Sequence, residues 1–329
     1  MSDRTVSVVF VTEAGPGVGL GHLRRCEALG AALCRWGATA RFLVDGQADS
    51  AGPDLTLLAW TRDPALACRV LAETRPDAVA VDSYHASPEL FERLRSVAGC
   101  VVAIDDLADR ALPAHLVVNG AFHAAQLPYR GAPDTMFLLG PEYALLDPAF
   151  AVEPPRHPSD AVRRVLVTLG GDASGVRLEA VVAAVRRAGP QAAIDVAVGP
   201  YSTGSVTMGD GVRVHRGLVS LRALMLAADL AVTGGGMTLY EGLASGTPVV
   251  GVCLADNQRA NIEGLSRAGV ILTGEPPLEA AIRRLAGDPA LRQAMGVRGR
   301  ALVDGRGAER VADAMVRVRL AAGVARSAL

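Results

Sequence analysis

Twice along this chain, short runs rich in Val, Ile and Leu alternate with Ala-, Leu- and Arg-rich stretches of helical length. Strands that alternate with helices in this way build βαβ units, and the sheet they form is parallel with helices on both faces. In the first series strands are expected at 7–12, 39–44, 78–81, 101–104, 116–118 and 136–139, and helices at 22–36, 64–74 and 88–97. Ser87 is placed to cap the last of these, with Pro88 at its first helical position.

The second series predicts strands at 165–168, 192–198, 212–215, 230–233 and 248–252, with helices at 176–188, 221–227, 237–244 and 257–268. Between the two series the text reads AVEPPRHPSDA, where three prolines end any regular element. The expected fold class is therefore α/β, with one Rossmann-like domain over residues 1–150, a linker at 151–161 and a second such domain over 162–329. Two such halves imply a cleft, and parallel sheets bind ligands outside the carboxyl ends of their strands. The Ala-rich tail from Val311 to Leu329 has two readings, a return onto the first domain or a helix for a partner.

Composition removes several function classes. With 33 basic against 34 acidic side chains the formal net charge is −1, and no long basic run is present to bind nucleic acid or an anionic membrane. Apolar stretches are broken by Asp229, Glu241 and Asp256 before they reach the roughly 20 residues that span a bilayer. The first residues lack a basic start and a small-residue cleavage site, so a cytoplasmic protein is expected. Cys26, Cys34, Cys68, Cys100 and Cys253 are scattered without a C-x-x-C pair and read as small buried residues. No cofactor or metal site is expected, and the oligomeric state is open.

Two glycine-rich junctions carry the chemistry. The first strand leads through Gly15, Gly17, Gly19 and Gly21 into His22, so backbone can approach a ligand closely at a helix start. From Gly15, Gly17 or Gly19 the sixth position is Leu20, His22 or Arg24, so G-x-G-x-x-G fails and a dinucleotide dehydrogenase is disfavoured. The Walker motif of nucleoside triphosphatases and the G-x-S-x-G elbow of serine hydrolases are missing too. His22 stands at the positive end of the helix dipole, which favours a neutral, proton-accepting imidazole; the alternative is a packing or capping role. Of Arg24 and Arg25, one is expected to face solvent, and either could hold an anion.

At the second junction Thr233 runs into Gly234, Gly235 and Gly236 and then Met237, an N-terminal amide cluster suited to a diphosphate. Glu241, about one turn in, could accept both hydroxyls of a ribose; its alternative is favourable pairing with the helix dipole. Asp256, Asn257 and Gln258 open the next helix, where amide side chains could read sugar hydroxyls while one residue serves as N-cap. Gly171 and Asp172, in a glycine-rich turn after strand 165–168, border the same expected cleft or form a simple turn.

Gly19-x-Gly-His22, Asp82-Ser-Tyr84, Ile104-Asp-Asp106, the LLGPEYALL segment from Leu138 to Leu146, Leu169-Gly-Gly-Asp172, the Gly234 loop with Glu241, and Asp256-Asn-Gln258 form an ordered set. Together they resemble the UDP-2,4-diacetamido-2,4,6-trideoxy-β-L-altropyranose hydrolases of pseudaminic acid biosynthesis, from about Val8 to about Leu265. Asp229 to Gln258 is also similar to the glycosyltransferase that adds N-acetylglucosamine to lipid-linked muropeptide.

The resemblance implies a GT-B architecture, two Rossmann-like domains facing a cleft, and metal-free inverting hydrolysis of a UDP-sugar. It implies that His22 activates water, that Gly234 to Met237 hold the diphosphate and Glu241 the ribose, that Tyr84 borders the sugar, and that Asn257 and Gln258 bind it. One departure is visible: after Tyr143-Ala-Leu-Leu146 the family usually carries Arg, and this chain carries Asp147. The alternative reading is a GT-B glycosyltransferase in which His22 deprotonates an acceptor hydroxyl. A silent nucleotide-sugar binding protein and a non-hydrolysing epimerase are the other two readings considered.

Overall fold

The computed structural model describes residues 5–48, 54–152, 160–171, 173–189, 191–203, 209–274 and 277–327. The chain divides into two compact units, Met1–Pro148 with Arg306–Leu329 and Ala149–Gly305.

The first unit contains β1 (Ser7–Ala14), α1 (Gly21–Cys34), β2 (Thr39–Gly46), β3 (Leu55–Leu57), α2 (Pro64–Thr74), β4 (Ala78–Asp82), α3 (Pro88–Val97), β5 (Cys100–Ile104), β6 (Leu116–Asn119) and β7 (Met136–Leu139). The seven strands are parallel in the order β3-β2-β1-β4-β5-β6-β7. Successive side chains of a strand point to opposite faces, and here both faces are apolar. Val8 and Phe10 of β1 face α1 with Ala80 and Val102, while Val9 and Val11 face α2 and α3 with Val79 and Val101. The helix starts follow from local chemistry. Ser87 accepts a hydrogen bond from the Leu90 N–H at 3.3 Å with Pro88 behind it, and Asp63 caps α2 with Pro64 in the same place.

The second unit contains β8 (Arg164–Thr168), α4 (Gly175–Arg187), β9 (Ala193–Ala197), β10 (Val212–His215), α5 (Arg222–Ala227), β11 (Leu230–Gly234), α6 (Met237–Ala244), β12 (Val249–Val252), α7 (Asp256–Arg267), β13 (Ile271–Thr273), α8 (Leu278–Gly287) and α9 (Pro289–Leu302). Its sheet is again parallel, in the order β10-β9-β8-β11-β12-β13. Strand order therefore reverses once in each sheet, between β1 and β4 and between β8 and β11. Doubly wound sheets bind ligands at such points.

The final helix, α10 (Gly307–Ser327), differs from the expected division, which put residues 162–329 in one domain. Ala308, Val311, Ala312 and Met315 are buried in the same core as Val8, Phe10, Leu29 and Cys100, so the tail belongs to the first unit. Burying a Val or Met side chain stabilises by roughly 1.5–3 kcal/mol, and an amphipathic tail left alone would forgo it. Arg319 adds an ion pair to Asp77 at 2.6 Å. The break between units falls at Pro148 and Ala149, just ahead of the proline-rich stretch, most of which lies outside the described residues. Among the described residues no helix is long and apolar enough to cross a membrane.

Candidate functional site

In the first unit the glycine-rich junction closes on itself. Gly15 and Gly19 exchange backbone hydrogen bonds of 3.1 and 2.7 Å, and Gly17, at φ +83°, turns the chain where a side chain would be strained. This tight loop delivers Gly21 and His22 as the first two residues of α1, whose start has no side-chain cap.

His22 is buried to 5% exposure and does more than pack. Its Nδ1 lies 2.5 Å from Oδ1 of Asp82, the last residue of β4, which is fully buried. The Arg25-paired carboxylate offers only lone pairs at that distance, so Nδ1 carries a proton and donates it to Asp82, with Arg25 Nη2 standing 3.0 Å from the same nitrogen, and Nε2 keeps the free lone pair.

Arg25, one turn further along α1, is also buried. Its Nε and Nη2 donate to Asp82 Oδ2 and Oδ1 at 2.9 and 2.8 Å, and its Nη1 donates to both oxygens of Asp106 at 2.7 Å. Arg24 is the solvent-side member of the pair and bonds Glu27 at 3.0 Å. Tyr84 OH donates to Asp106 Oδ2 at 3.1 Å, and the Tyr84 and His22 rings meet edge to face with centroids 4.6 Å apart.

Electrostatics follow from this packing. Burial alone would lower the Arg25 pKa, but Asp106 and Asp82 outweigh it and hold the guanidinium charged. Burial likewise opposes ionisation of Asp106, and the Arg25 charge beside it wins, keeping the carboxyl below its ordinary range. Burial and then Asp106 push the Tyr84 phenol up, so it stays protonated and remains a donor.

A second carboxylate–imidazole pair occupies the opposite face of the same strand ends. Glu13 accepts from Ser83 Oγ at 2.5 Å and lies 3.1 Å from His85 Nδ1, while Arg110 braces the turn by donating to the Ser83 and Ala86 carbonyls.

In the second unit Gly234 ends β11, Gly236 is the N-cap of α6 and Met237 its first residue, with no side-chain cap. Gly235 is engaged by α7 on both sides: its N–H donates to Gln258 Oε1 at 3.1 Å, and its carbonyl accepts from Asn261 Nδ2 at 3.4 Å. Tyr240 OH in turn donates to Asn261 Oδ1 at 2.6 Å. Gln258 also receives the Leu254 N–H at 3.1 Å, so this amide organises the loop. Asp256 and Asn257 are exposed in the first turn of α7, whose N-cap is Ala255 rather than either polar residue. Glu241 is half-buried on α6, and Gly171 follows β8, the strand beside β11. Asp172 lies outside the described residues. Asp147 is exposed.

Sequence reading singled out His22, Tyr84 and the Gly234 loop, and the structure sets each at a strand-order reversal. It missed the roles of Arg25, Asp82 and Asp106. The available signal was a carboxylate closing an otherwise apolar buried strand, AVAVD in β4.

No protein-family profile matches the chain, and no curated protein matches it. Solved structures do. The calicheamicin glycosyltransferase CalG4 superposes with a TM-score of 0.60 at 17% identity, over 97% of this chain and 99% of that one. The Streptomyces sp. SF2575 glycosyltransferase SsfS6, complexed with thymidine diphosphate, gives 0.62 at 16% identity over 95% and 99%. Acinetobacter baumannii MurG gives 0.57 at 16% identity over 94% and 99%. The chain has the α/β fold of these GT-B glycosyltransferases, two parallel doubly wound sheets of seven and six strands.

Proposed function

We propose that this protein is a nucleotide-sugar enzyme, a GT-B glycosyltransferase in which the His22–Asp82 pair is the general base. The observation that carries this reading is the 2.5 Å contact that leaves His22 Nε2 as the free acceptor at the carboxyl edge of the first sheet. In the step envisaged, Nε2 takes the proton of an acceptor hydroxyl as its oxygen bonds the anomeric carbon. The bond from that carbon to the phosphate oxygen breaks, and the nucleoside diphosphate leaves with the electron pair. Attack opposite the leaving group inverts the anomeric centre.

The open amide end of α6 at Gly236 and Met237 would hold the diphosphate, with Glu241 on the ribose. Gln258, whose Oε1 fixes the loop, and Asn257 beside it would bind the sugar. General-base catalysis contributes about 10² to 10⁴ in rate, and stabilising the departing diphosphate supplies much of the rest. The glycosyltransferase structures with the same fold support transfer, and one of them holds a nucleoside diphosphate.

A second reading, with water as the acceptor, is favoured by one specific observation. His22, Asp82, Tyr84 and Asp106, drawn from three of the motifs shared with the UDP-sugar hydrolases, converge on one hydrogen-bonded cluster. Release of UDP from UDP-2,4-diacetamido-2,4,6-trideoxy-β-L-altrose, and from a panel of UDP- and TDP-sugars, with and without hydroxyl acceptors, decides between them. Acceptor-dependent, His22-dependent release supports transfer. Release in buffer alone supports hydrolysis, and turnover untouched by His22→Ala removes both.

A further inference from the structure

The chemistry just proposed uses His22 and Asp82 and leaves a buried cation and a second carboxylate without a task. Arg25 lies three residues after His22 on α1, so the two side chains leave the same helix face. Its guanidinium spans both oxygens of Asp82 with one edge and both oxygens of Asp106 with Nη1. Tyr84 closes the circuit, bonded to Asp106 at its hydroxyl and touching His22 at its ring. Five side chains from α1, the end of β4 and the loops after β4 and β5 thus form one closed ring of contacts.

We propose that Arg25 and Asp106 are positioning residues, fixing which nitrogen of His22 accepts the proton and how tightly the proton is then held. This rests on the reading of His22 as the base. Two physical arguments carry it. A carboxylate bonded to a single histidine can rotate, whereas a planar fork bonded to both oxygens locks its plane, and with it the imidazole. The charges also balance in a particular way. With His22 neutral the ring holds Asp82 and Asp106 against Arg25, one negative charge in excess, and proton uptake by His22 brings the sum to zero. Among the described residues, Tyr84 and the buried Cys26 thiol beside Asp82 are both pushed up by burial and add no charge near neutrality, and the Arg24–Glu27 pair on the same helix sums to zero. A single excess charge favours the imidazolium that forms during reaction. Without Arg25 the ring would carry two, so the guanidinium sets how strongly that imidazolium is held.

The test combines the pH profile of kcat/KM with 15N NMR titration of His22. Asp106→Asn removes one negative charge and keeps the shape, so both the acidic limb and the His22 titration should move down by about half a unit or more. Arg25→Lys keeps the charge and loses the fork. It should lower kcat roughly tenfold or more, mix the His22 tautomers, and move the limb less than Asp106→Asn does. The proposal is overturned by a folded Asp106→Asn protein in which His22 titrates as in wild type, or by an Arg25→Lys enzyme with wild-type kcat and a single Nδ1–H tautomer. Should Arg25→Lys fail to fold, the Asp106→Asn titration decides alone. Should wild type turn over no nucleotide sugar, the functional reading fails, while the NMR titration still judges the ring.

Discussion

Oδ1 of Asp82 sits 2.5 Å from Nδ1 of His22 and simultaneously 2.8 Å from Nη2 of Arg25, so one carboxylate oxygen serves the imidazole and the guanidinium together. Replacing this carboxylate with an amide leaves a group whose NH₂ can face His22 Nδ1 and select the opposite tautomer. Asp82→Asn is therefore expected to cut kcat by about 10² to 10⁴ with a small change in KM. Steady-state kinetics of the folded variant check this.

His22→Ala should abolish turnover and leave nucleotide binding within a few-fold, because the amides proposed to hold the diphosphate belong to the other unit. Combined with Asp82→Asn it should cost little more than alone, since the two act as one device. Calorimetric titration with UDP and TDP beside single-turnover kinetics gives both numbers.

The three glycines of the second unit should separate by role. A Cβ on Gly235 would lie 2.8 Å from Ile262 Cδ1 and 2.9 Å from Gln258 Cβ, and one on Gly234 would lie 2.7 Å from Leu254 Cδ1. Gly235→Ala is thus expected to destabilise the protein by about 1–3 kcal/mol through overpacking. A Cβ on Gly236 meets nothing within 4 Å, and its φ of −86° suits any residue. Gly236→Ala should keep the melting temperature and weaken nucleotide binding, which a thermal-shift assay with and without nucleotide would show together. Nucleotide affinity unchanged in Gly236→Ala would remove the diphosphate from this loop.

Stability should depend on pH through Asp106. Arg25 holds its carboxyl below the ordinary 3.8, so the pairing contributes in full above that value and is lost as pH falls through the lower folded-state pKa. Asp106→Asn should cost about 1–3 kcal/mol in urea unfolding near neutrality, and its difference from wild type should narrow below pH 4. A difference that persists at pH 3 would place the effect in packing.

How much of this was legible beforehand depends on the range over which each signal acts. β4 and β5 are apolar enough to read directly, and Ser87–Pro88 fixes the start of α3 in four residues. β3 and β13 are three residues each, too short to show a period, and both lie at sheet edges. His22 was visible because its glycines are its sequence neighbours. The Arg25 ring was not, because its members are 57 and 81 residues apart and meet only once β4 and β5 line up beside β1. Gln258 was visible as a polar residue opening α7, whereas the contact of its Oε1 with the Gly235 N–H, 23 residues away, needed the adjacency of β11 and β12.

The return of α10 to the first unit has a consequence for the order in which the protein matures on the ribosome. The second unit is one continuous run from Ala149 to Gly305, whereas the first lacks a wall of its core until Val311 and Met315 have been made. The part synthesised first is therefore the part completed last. Until then the apolar surface of α1 and β5, with Leu29 and Val102, waits for its final helix, and a ribosome stalled between residues 149 and 305 would present that surface to chaperones.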